Sequence, residues 1–223
     1  MPRIDPKDHL SRQWRVHALA RDFALLDVWD YPITTGPEHD LAYFEAFARQ
    51  LERAISEGPG LAGILFRVRT AVGRLFGWDE TSQPLPIPGC KETSLRQRLE
   101  PSEQSDAPVD PAADKSGPSP AEGIVFTTVY HHHDELLEEI SNSTVHALAH
   151  VSWIDRGCGR FGPRMAVYVK PRGWAGRLYM SIINPFRVFV VYPAMMRHLQ
   201  RQWERAHGDG TGATNASSQI STG

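Results

Sequence analysis

The sequence lacks the features of an exported protein. Its 223 residues include only two cysteines, Cys90 in a proline-rich stretch and Cys158 between two glycines, which cannot build a disulfide framework. Residues 1–10 carry charges and prolines where a signal peptide has an apolar core. Both absences predict a protein of the reducing cytoplasm.

The sequence also lacks an excess of charge of either sign. Lysine and arginine number 24 against 26 aspartates and glutamates, so no long-range field favours nucleic acid or an anionic lipid surface. Hydrophobic residues make up 41% and charged residues 22%, as in ordinary globular proteins. We expect a globular domain with neither of these partners.

Catalytic motifs are missing as well. The sequence contains no Ser-His-Asp order, no P-loop, no dinucleotide-binding glycine pattern, and no HExxH or CxxC motif. The glycines that flank Cys158 are not followed by the helix that phosphate binding requires. We therefore expect no cofactor, and the sequence leaves open whether the protein is an enzyme.

Hydrophobic periodicity predicts one α+β domain over residues 9–207. Apolar and β-branched runs predict strands at 23–33, 124–130, 134–142, 144–154 and 164–170. Helical spacing predicts helices at 41–55 and 61–75, which form a hairpin, and a long C-terminal helix at 174–206. The three glycines and one proline of residues 155–163 predict a hairpin connection between the last two strands.

Two segments do not fit this pattern. Residues 79–123 hold eight prolines and few large apolar residues, which predicts a loop with a disordered insertion at about 100–123. Residues 208–223 are mainly glycine, serine, threonine and asparagine, which predicts a disordered tail.

The predicted C-terminal helix has an apolar and a polar side. The apolar side comprises Leu178, Ile182, Phe186, Phe189, Met196 and Trp203, and the polar side comprises Arg177, Ser181, Asn184, Arg187, Arg201 and Arg205. Pro185 and Pro193 each remove a backbone donor, which predicts kinks. Arg187 beside Asn184 could bind an anionic group, but its place on the polar side favours a solvated residue.

Part of this helix, residues 178–196, is about long enough to cross a bilayer. It also contains Arg187, which is unfavourable in the apolar interior of a membrane, and two prolines that leave carbonyl groups unpaired. The composition therefore favours a core helix over a membrane span.

Several short stretches resemble a bacterial family of unknown function. They are Trp14-Arg15-Val16-His17, Leu26-Asp27-Val28-Trp29, Thr144-Val145-His146, the run from Met165 to Pro171, and Asn184-Pro185-Phe186-Arg187. The resemblance implies an α+β helix-grip (START-like) fold, in which a curved antiparallel sheet wraps a long C-terminal helix. The group includes polyketide cyclases and lipid-transfer proteins, and the family's domain also occurs fused behind short-chain dehydrogenase-type domains.

The strand at 144–154 predicts an apolar cavity. Its inward face carries Ala147 and Ala149, which are small where a packed core usually has larger residues. The candidate ligand-binding residues are Trp29, Tyr31, Ala147, Ala149, Trp153, Tyr179 and Phe186. The alternative is a filled core, in which Tyr179, Phe186 and Phe189 occupy the space.

Histidines are the remaining candidates for chemistry. His131, His132 and His133 point to alternate sides of a strand, so we expect no metal site there. His146 and His150 lie on the outer face of their strand, where we expect half-exposed polar residues rather than a general acid or base.

Three functions remain open at this stage. The first is a module that binds a small apolar molecule between the sheet and the C-terminal helix. The second is a cyclase or dehydratase in which a cavity histidine or tyrosine moves protons, which rests on analogy of fold. The third is an accessory subunit that docks on a dehydrogenase-type partner.

Overall fold

The computed structural model describes residues 3–36, 41–57, 85–106 and 126–207. The strands are β1 (Ala24–Asp30), β2 (Thr127–His131), β3 (Glu135–Ser141), β4 (Val145–Asp155) and β5 (Phe161–Pro171). The helices are α1 (Pro6–Leu10), α2 (Val16–Leu19), α3 (Leu41–Glu57), α4 (Pro101–Asp106), α5 (Gly173–Phe186) and α6 (Tyr192–His207), with a 3₁₀ turn at Leu95–Arg98. A π-helical turn, Arg187–Val191, joins α5 to α6, so that Gly173–His207 is one continuous C-terminal helix.

The five strands form one antiparallel sheet in the order β1-β5-β4-β3-β2. The predicted α+β class is confirmed, and the curved open sheet with its long C-terminal helix is consistent with the helix-grip arrangement. The predicted hairpin between the last two strands is also confirmed, with Gly157, Cys158 and Gly159 in left-handed backbone conformations. The segment 134–142, which fits neither period cleanly, is strand β3.

Each face of the sheet is covered by different elements. The helix face packs against α3 and the C-terminal helix through residues such as Val151 and Met165. The N-terminal face packs against α1, α2 and the segment 85–106 through residues such as Leu148 and Tyr168. The central strands β4 and β5 are therefore buried on both sides.

This double coverage corrects one prediction about β4. His146 and His150 were expected to be half-exposed on an outer face, but both are fully buried, and so is Ser152. The alternation along the strand is as predicted, since these residues share one face. The exposure was wrong because elements distant in sequence cover that face.

Residues 85–106, the described part of the proline-rich region, are more ordered than their composition predicts. Within residues 85–106, Ile87, Leu95 and Leu99 are buried against the N-terminal face. Ser94 caps the 3₁₀ turn, and α4 occupies the start of the expected disordered insertion. The rest of that insertion, the helix predicted at 61–75 and the predicted tail lie outside the described residues, so the helix hairpin remains a prediction.

The C-terminal helix does not present the predicted apolar side. Met196 and Trp203 are buried as expected, but Leu178, Ile182 and Phe189 are exposed at 40%, 45% and 78%. Gly176 explains the difference, because it packs directly against the backbone carbonyl of Thr144. Since successive residues of an α-helix are 100° apart, Leu178 and Ile182, two and six positions after Gly176, point away from the sheet.

The same helix is the one helix of the described residues that is long and apolar enough to cross a membrane. Only 17% of its most apolar window is buried. The prediction of a core helix therefore holds for one side of the helix, because the other side exposes Leu178, Ile182 and Phe189.

The close approach at Gly176 predicts that Gly176→Ala destabilises the protein. A Cβ there would overlap the Thr144 carbonyl oxygen and lie 3.2 Å from the Pro171 carbonyl carbon, and neither backbone atom can move aside alone. The gain in helix propensity is about 1 kcal/mol, whereas overpacking typically costs about 1–3 kcal/mol. We expect a lower urea midpoint. Gly36→Ala, where a Cβ would meet nothing within 4 Å, is the control; equal stability of Gly176→Ala and wild type would contradict this account.

Candidate functional site

A cavity of about 210 Å³ lies between the helix face of the sheet and the C-terminal helix. Its floor is formed by β3, β4 and β5, and its roof by α5, the π-helical turn and the start of α6. The lining is mainly aliphatic and includes Ile140, Val145, Ala147, Ala149, Val151, Met165, Val167, Val169, Met180, Ile183, Val191 and Met195. The space is a result of short side chains in the centre of the sheet.

The structure places four of the seven predicted ligand-binding residues on the cavity wall. They are Tyr31, Ala147, Ala149 and Tyr179. The other three, Trp29, Trp153 and Phe186, belong to the surrounding core. Of the three residues that could fill the space in the alternative, Phe189 faces solvent, whereas Tyr179 and Phe186 pack against the core. A role for these residues in binding remains a prediction.

Arg187 is a charged residue of the cavity wall. The prediction of a solvated arginine is wrong, since its side chain is only 13% exposed. The guanidinium donates to Asn184 Oδ1 at 3.3 Å, contacts the Tyr192 hydroxyl, and lies 5.0 Å from the centre of the Tyr192 ring. The π-helical turn that begins at Arg187 adds one residue per turn, which changes the phase of the helix at this point.

Asp27 faces Arg187 from the sheet. A β-bulge between Leu25 and Asp27 shifts the register, so that Asp27 pairs with Val167 on the helix face. Its carboxylate is 3.5 Å from the Arg187 guanidinium. Burial raises the pKa of Asp27, and the positive charge of Arg187 opposes this rise.

The remaining polar groups of the wall are phenols, one amide and one carboxylate. Burial raises the pKa of Tyr31 and Tyr192, so both phenols keep their protons at neutral pH. Tyr31 donates to the sulfur of Met165 at 3.5 Å. Asn142 and Glu138 complete the set, and among the described lining residues there is no histidine or cysteine.

Sequence reasoning did not place Glu138 and Tyr192 on the cavity wall. Glu138 lies in a strand whose sequence follows neither the helical nor the strand period, so its face could not be assigned. The direction of Tyr192 depends on the π-helical turn before it, which the sequence does not show.

The buried histidines belong to the opposite face of the sheet. His150 Nε2 lies 2.8 Å from Glu135 Oε2, and Glu135 also accepts from the Tyr130 hydroxyl at 2.8 Å and from the Arg15 backbone N–H at 3.0 Å. Burial raises the pKa of Glu135, but the hydrogen bond with His150 and further donors lower it to below its ordinary value. Glu135 thus stays ionised and holds the N-terminal segment on the sheet.

Glu139 makes the equivalent arrangement four residues further along β3. It lies 2.9 Å from His146 Nε2, accepts from the Leu95 backbone N–H at 3.0 Å, and contacts the Ser94 hydroxyl. Both histidines therefore hold carboxylates that anchor the covering segments, and neither reaches the cavity.

The triple histidine near the β2–β3 hairpin makes three separate sets of contacts. His131 Nε2 is 3.2 Å from Glu45, His132 stacks on Tyr130, and His133 is 3.5 Å from Asp134. Across the described residues, no three histidine, cysteine, aspartate or glutamate side chains are grouped to hold a metal ion.

His9 is a further buried imidazole on the N-terminal face. Its Nε2 lies 2.9 Å from the Tyr168 hydroxyl, and its ring centre is 5.2 Å from those of His17 and His150. Burial, followed by the neighbouring His150 and His17, lowers the pKa of His9 to about 3. His9 is therefore neutral in the folded protein at neutral pH.

This shift predicts that acid destabilises the fold. Between pH 6.5 and about 3 the unfolded chain binds a proton at His9 that the folded chain does not. Stability must therefore fall as the pH falls through this window, by up to about 1.4 kcal/mol per pH unit. His9→Gln keeps a donor for Tyr168 but removes the titration, so its free energy of unfolding should fall less steeply from pH 6.5 to 4.

Urea titrations at several pH values measure this slope. His133→Gln, at a side chain that is 70% exposed, is the control and should keep the slope of the wild type. If His9→Gln and wild type lose stability in parallel, His9 does not titrate as described.

Fold and cavity together define an α+β sheet-and-helix domain with a mainly apolar cavity beneath its C-terminal helix. The profile of one family, described as protein of unknown function (DUF2867), matches residues 19–194, and the chain belongs to that family. The matched region contains the whole sheet, the cavity floor and the Asp27–Arg187 pair, whereas α1 and His9 lie before it. Comparisons with curated proteins and with solved structures find no match.

Proposed function

We propose that the protein binds a small apolar molecule in the cavity beneath its C-terminal helix. The observation that carries this proposal is a cavity of about 210 Å³ with an aliphatic wall and a few convergent polar groups. This composition is typical of small-molecule sites in proteins. The resemblance to START-like proteins supports the same proposal, because members of that group hold apolar ligands between sheet and helix.

The cavity size limits the ligand. An apolar cavity of about 150 Å³ holds one benzene molecule, so a cavity of about 210 Å³ suits a ligand of roughly eight to ten non-hydrogen atoms. Ala147 and Ala149 provide the space, since each stands at the centre of the floor with only a methyl group.

The enzyme alternative has less support. A cyclase or dehydratase of the type considered above would use a cavity histidine or an acidic tyrosine to move protons. The described wall holds no histidine, and burial raises the pKa of Tyr31 and Tyr192. Glu138 is the group on the wall that could accept a proton.

Docking on a dehydrogenase-type subunit is the second candidate function. The exposed apolar side of the C-terminal helix favours it, since Trp174, Leu178, Ile182, Phe189 and Val190 are all at least 40% exposed. Isolated apolar residues are common on surfaces, but contiguous apolar patches mark contact sites. Loss of association with a purified partner in a Trp174→Ser/Phe189→Ser variant would support docking independently of the cavity.

The decisive test of the first candidate is Ala149→Phe, which fills the cavity. We expect wild type to bind butylbenzene, a neutral apolar probe of about ten non-hydrogen atoms, which is within the size that suits this cavity. Ala149→Phe should lower the affinity at least about tenfold at unchanged urea midpoint, because the ring enters empty space. Isothermal titration calorimetry and urea unfolding measure both quantities.

Ala206→Phe, at an exposed position near the end of α6, is the matched control and should bind the probe as wild type does. A wild type that binds no probe, together with an Ala149→Phe variant destabilised by about 1–3 kcal/mol, would show a filled core and refute the proposal.

A further inference from the structure

Two backbone irregularities meet at one wall of the cavity. The β-bulge next to Asp27 interrupts the alternation of β1, and the π-helical turn at Arg187–Val191 interrupts the C-terminal helix. Each irregularity brings a charged side chain to the space between sheet and helix, where regular structure would favour apolar residues. Bulges and π-helical turns are frequent beside functional sites.

The contacts of Arg187 leave its hydrogen-bonding capacity incompletely used. A guanidinium has five N–H donors in a planar fork. Its Nη2 is 3.5 Å from the Asp27 carboxylate, which is longer than the roughly 2.7–2.9 Å of a strong charge-assisted hydrogen bond. Asp27 thus balances the charge of Arg187 without using all five N–H donors. The Tyr192 ring lies against one side of the guanidinium.

A further hydrogen bond to Arg187 would be stronger in this cavity than in water. Arg187 lines a cavity whose wall is otherwise mainly aliphatic, and its side chain is 13% exposed. Electrostatic interactions are stronger in such an environment than in water. An apolar ligand that carries an acceptor oxygen would gain from this contact, whereas an ammonium group would be repelled by Arg187 and could pair with Glu138 instead.

We propose that Arg187 determines the specificity of the cavity by binding the acceptor oxygen of an apolar ligand, either a carboxylate or a carbonyl. Asp27 and Tyr192 are positioning residues that hold the guanidinium toward the cavity. This inference rests on the proposed function, because it states which residue of the cavity binds the polar end of the ligand.

Four phenylalkyl probes of similar size test the inference: butylbenzene, phenylbutanone, phenylpropionate and phenylpropylamine. They differ in their ends, which are apolar, a neutral carbonyl, a carboxylate and an ammonium group. In wild type we expect the carbonyl or the carboxylate probe to bind about tenfold to a hundredfold more tightly than butylbenzene, the range of one hydrogen bond to a charged group. The more tightly bound of the two shows which oxygen the site prefers.

Arg187→Met should remove this preference, so that the carbonyl and carboxylate probes bind the variant no more tightly than butylbenzene does. Arg177→Met, at an exposed arginine of the same helix, is the matched control and should keep it. Arg187→Met leaves the buried Asp27 carboxylate without its cation, so the double variant Asp27→Asn/Arg187→Met is measured beside it. The double variant should also have lost the preference.

The outcomes separate the two proposals. Equal binding of all four probes by wild type, tightest binding of the amine, or a preference that survives in both Arg187 variants would overturn the assignment of Arg187 while the cavity remains a binding site. Failure of all four probes to bind would overturn the proposed function itself.

Discussion

Glu135 and Glu139 tie the segments that cover the N-terminal face to the sheet. Each carboxylate is paired with a buried histidine and accepts a backbone N–H from a covering segment, Arg15 in one case and Leu95 in the other. Loss of either carboxylate would leave a buried imidazole and a backbone donor without a partner. Each unpaired buried group typically destabilises a fold by about 1–3 kcal/mol. Together with the apolar residues of that face, these two anchors keep β4 and β5 buried on both sides.

The two faces of the sheet use different physical means. The N-terminal face carries an ionic and hydrogen-bonded layer, which requires defined partners and leaves little freedom to repack. The helix face is mainly apolar, both aliphatic and aromatic, and the Asp27–Arg187 pair links the sheet to the helix there.

Local sequence patterns were sufficient for the strands and the hairpin, and for the identity of Ala147 and Ala149 as inward residues. They failed for His146 and His150, because the elements that bury these residues come from positions about fifty to more than a hundred residues away in the chain. They also failed for Arg187 and Phe189, whose directions are set by a glycine contact and a π-helical turn rather than by the average helical period. Neither the covering of a sheet face by distant segments nor an irregularity of a single residue leaves a periodic signal in the sequence. The polar wall of the cavity depends on two such irregularities, the β-bulge next to Asp27 and the π-helical turn at Arg187.

The π-helical turn has a consequence for how this architecture can vary. A π-helical turn contains about one residue more than an α-helical turn, so it takes up that residue without rotating the part of the helix that follows. A chain of this architecture with one residue fewer between Arg187 and Val191 would therefore form a regular α-helix there and still bury Tyr192, Met196 and Trp203. The core below α6 would stay the same, and the change would fall on the side chains of the turn itself, among them the Arg187 that lines the cavity.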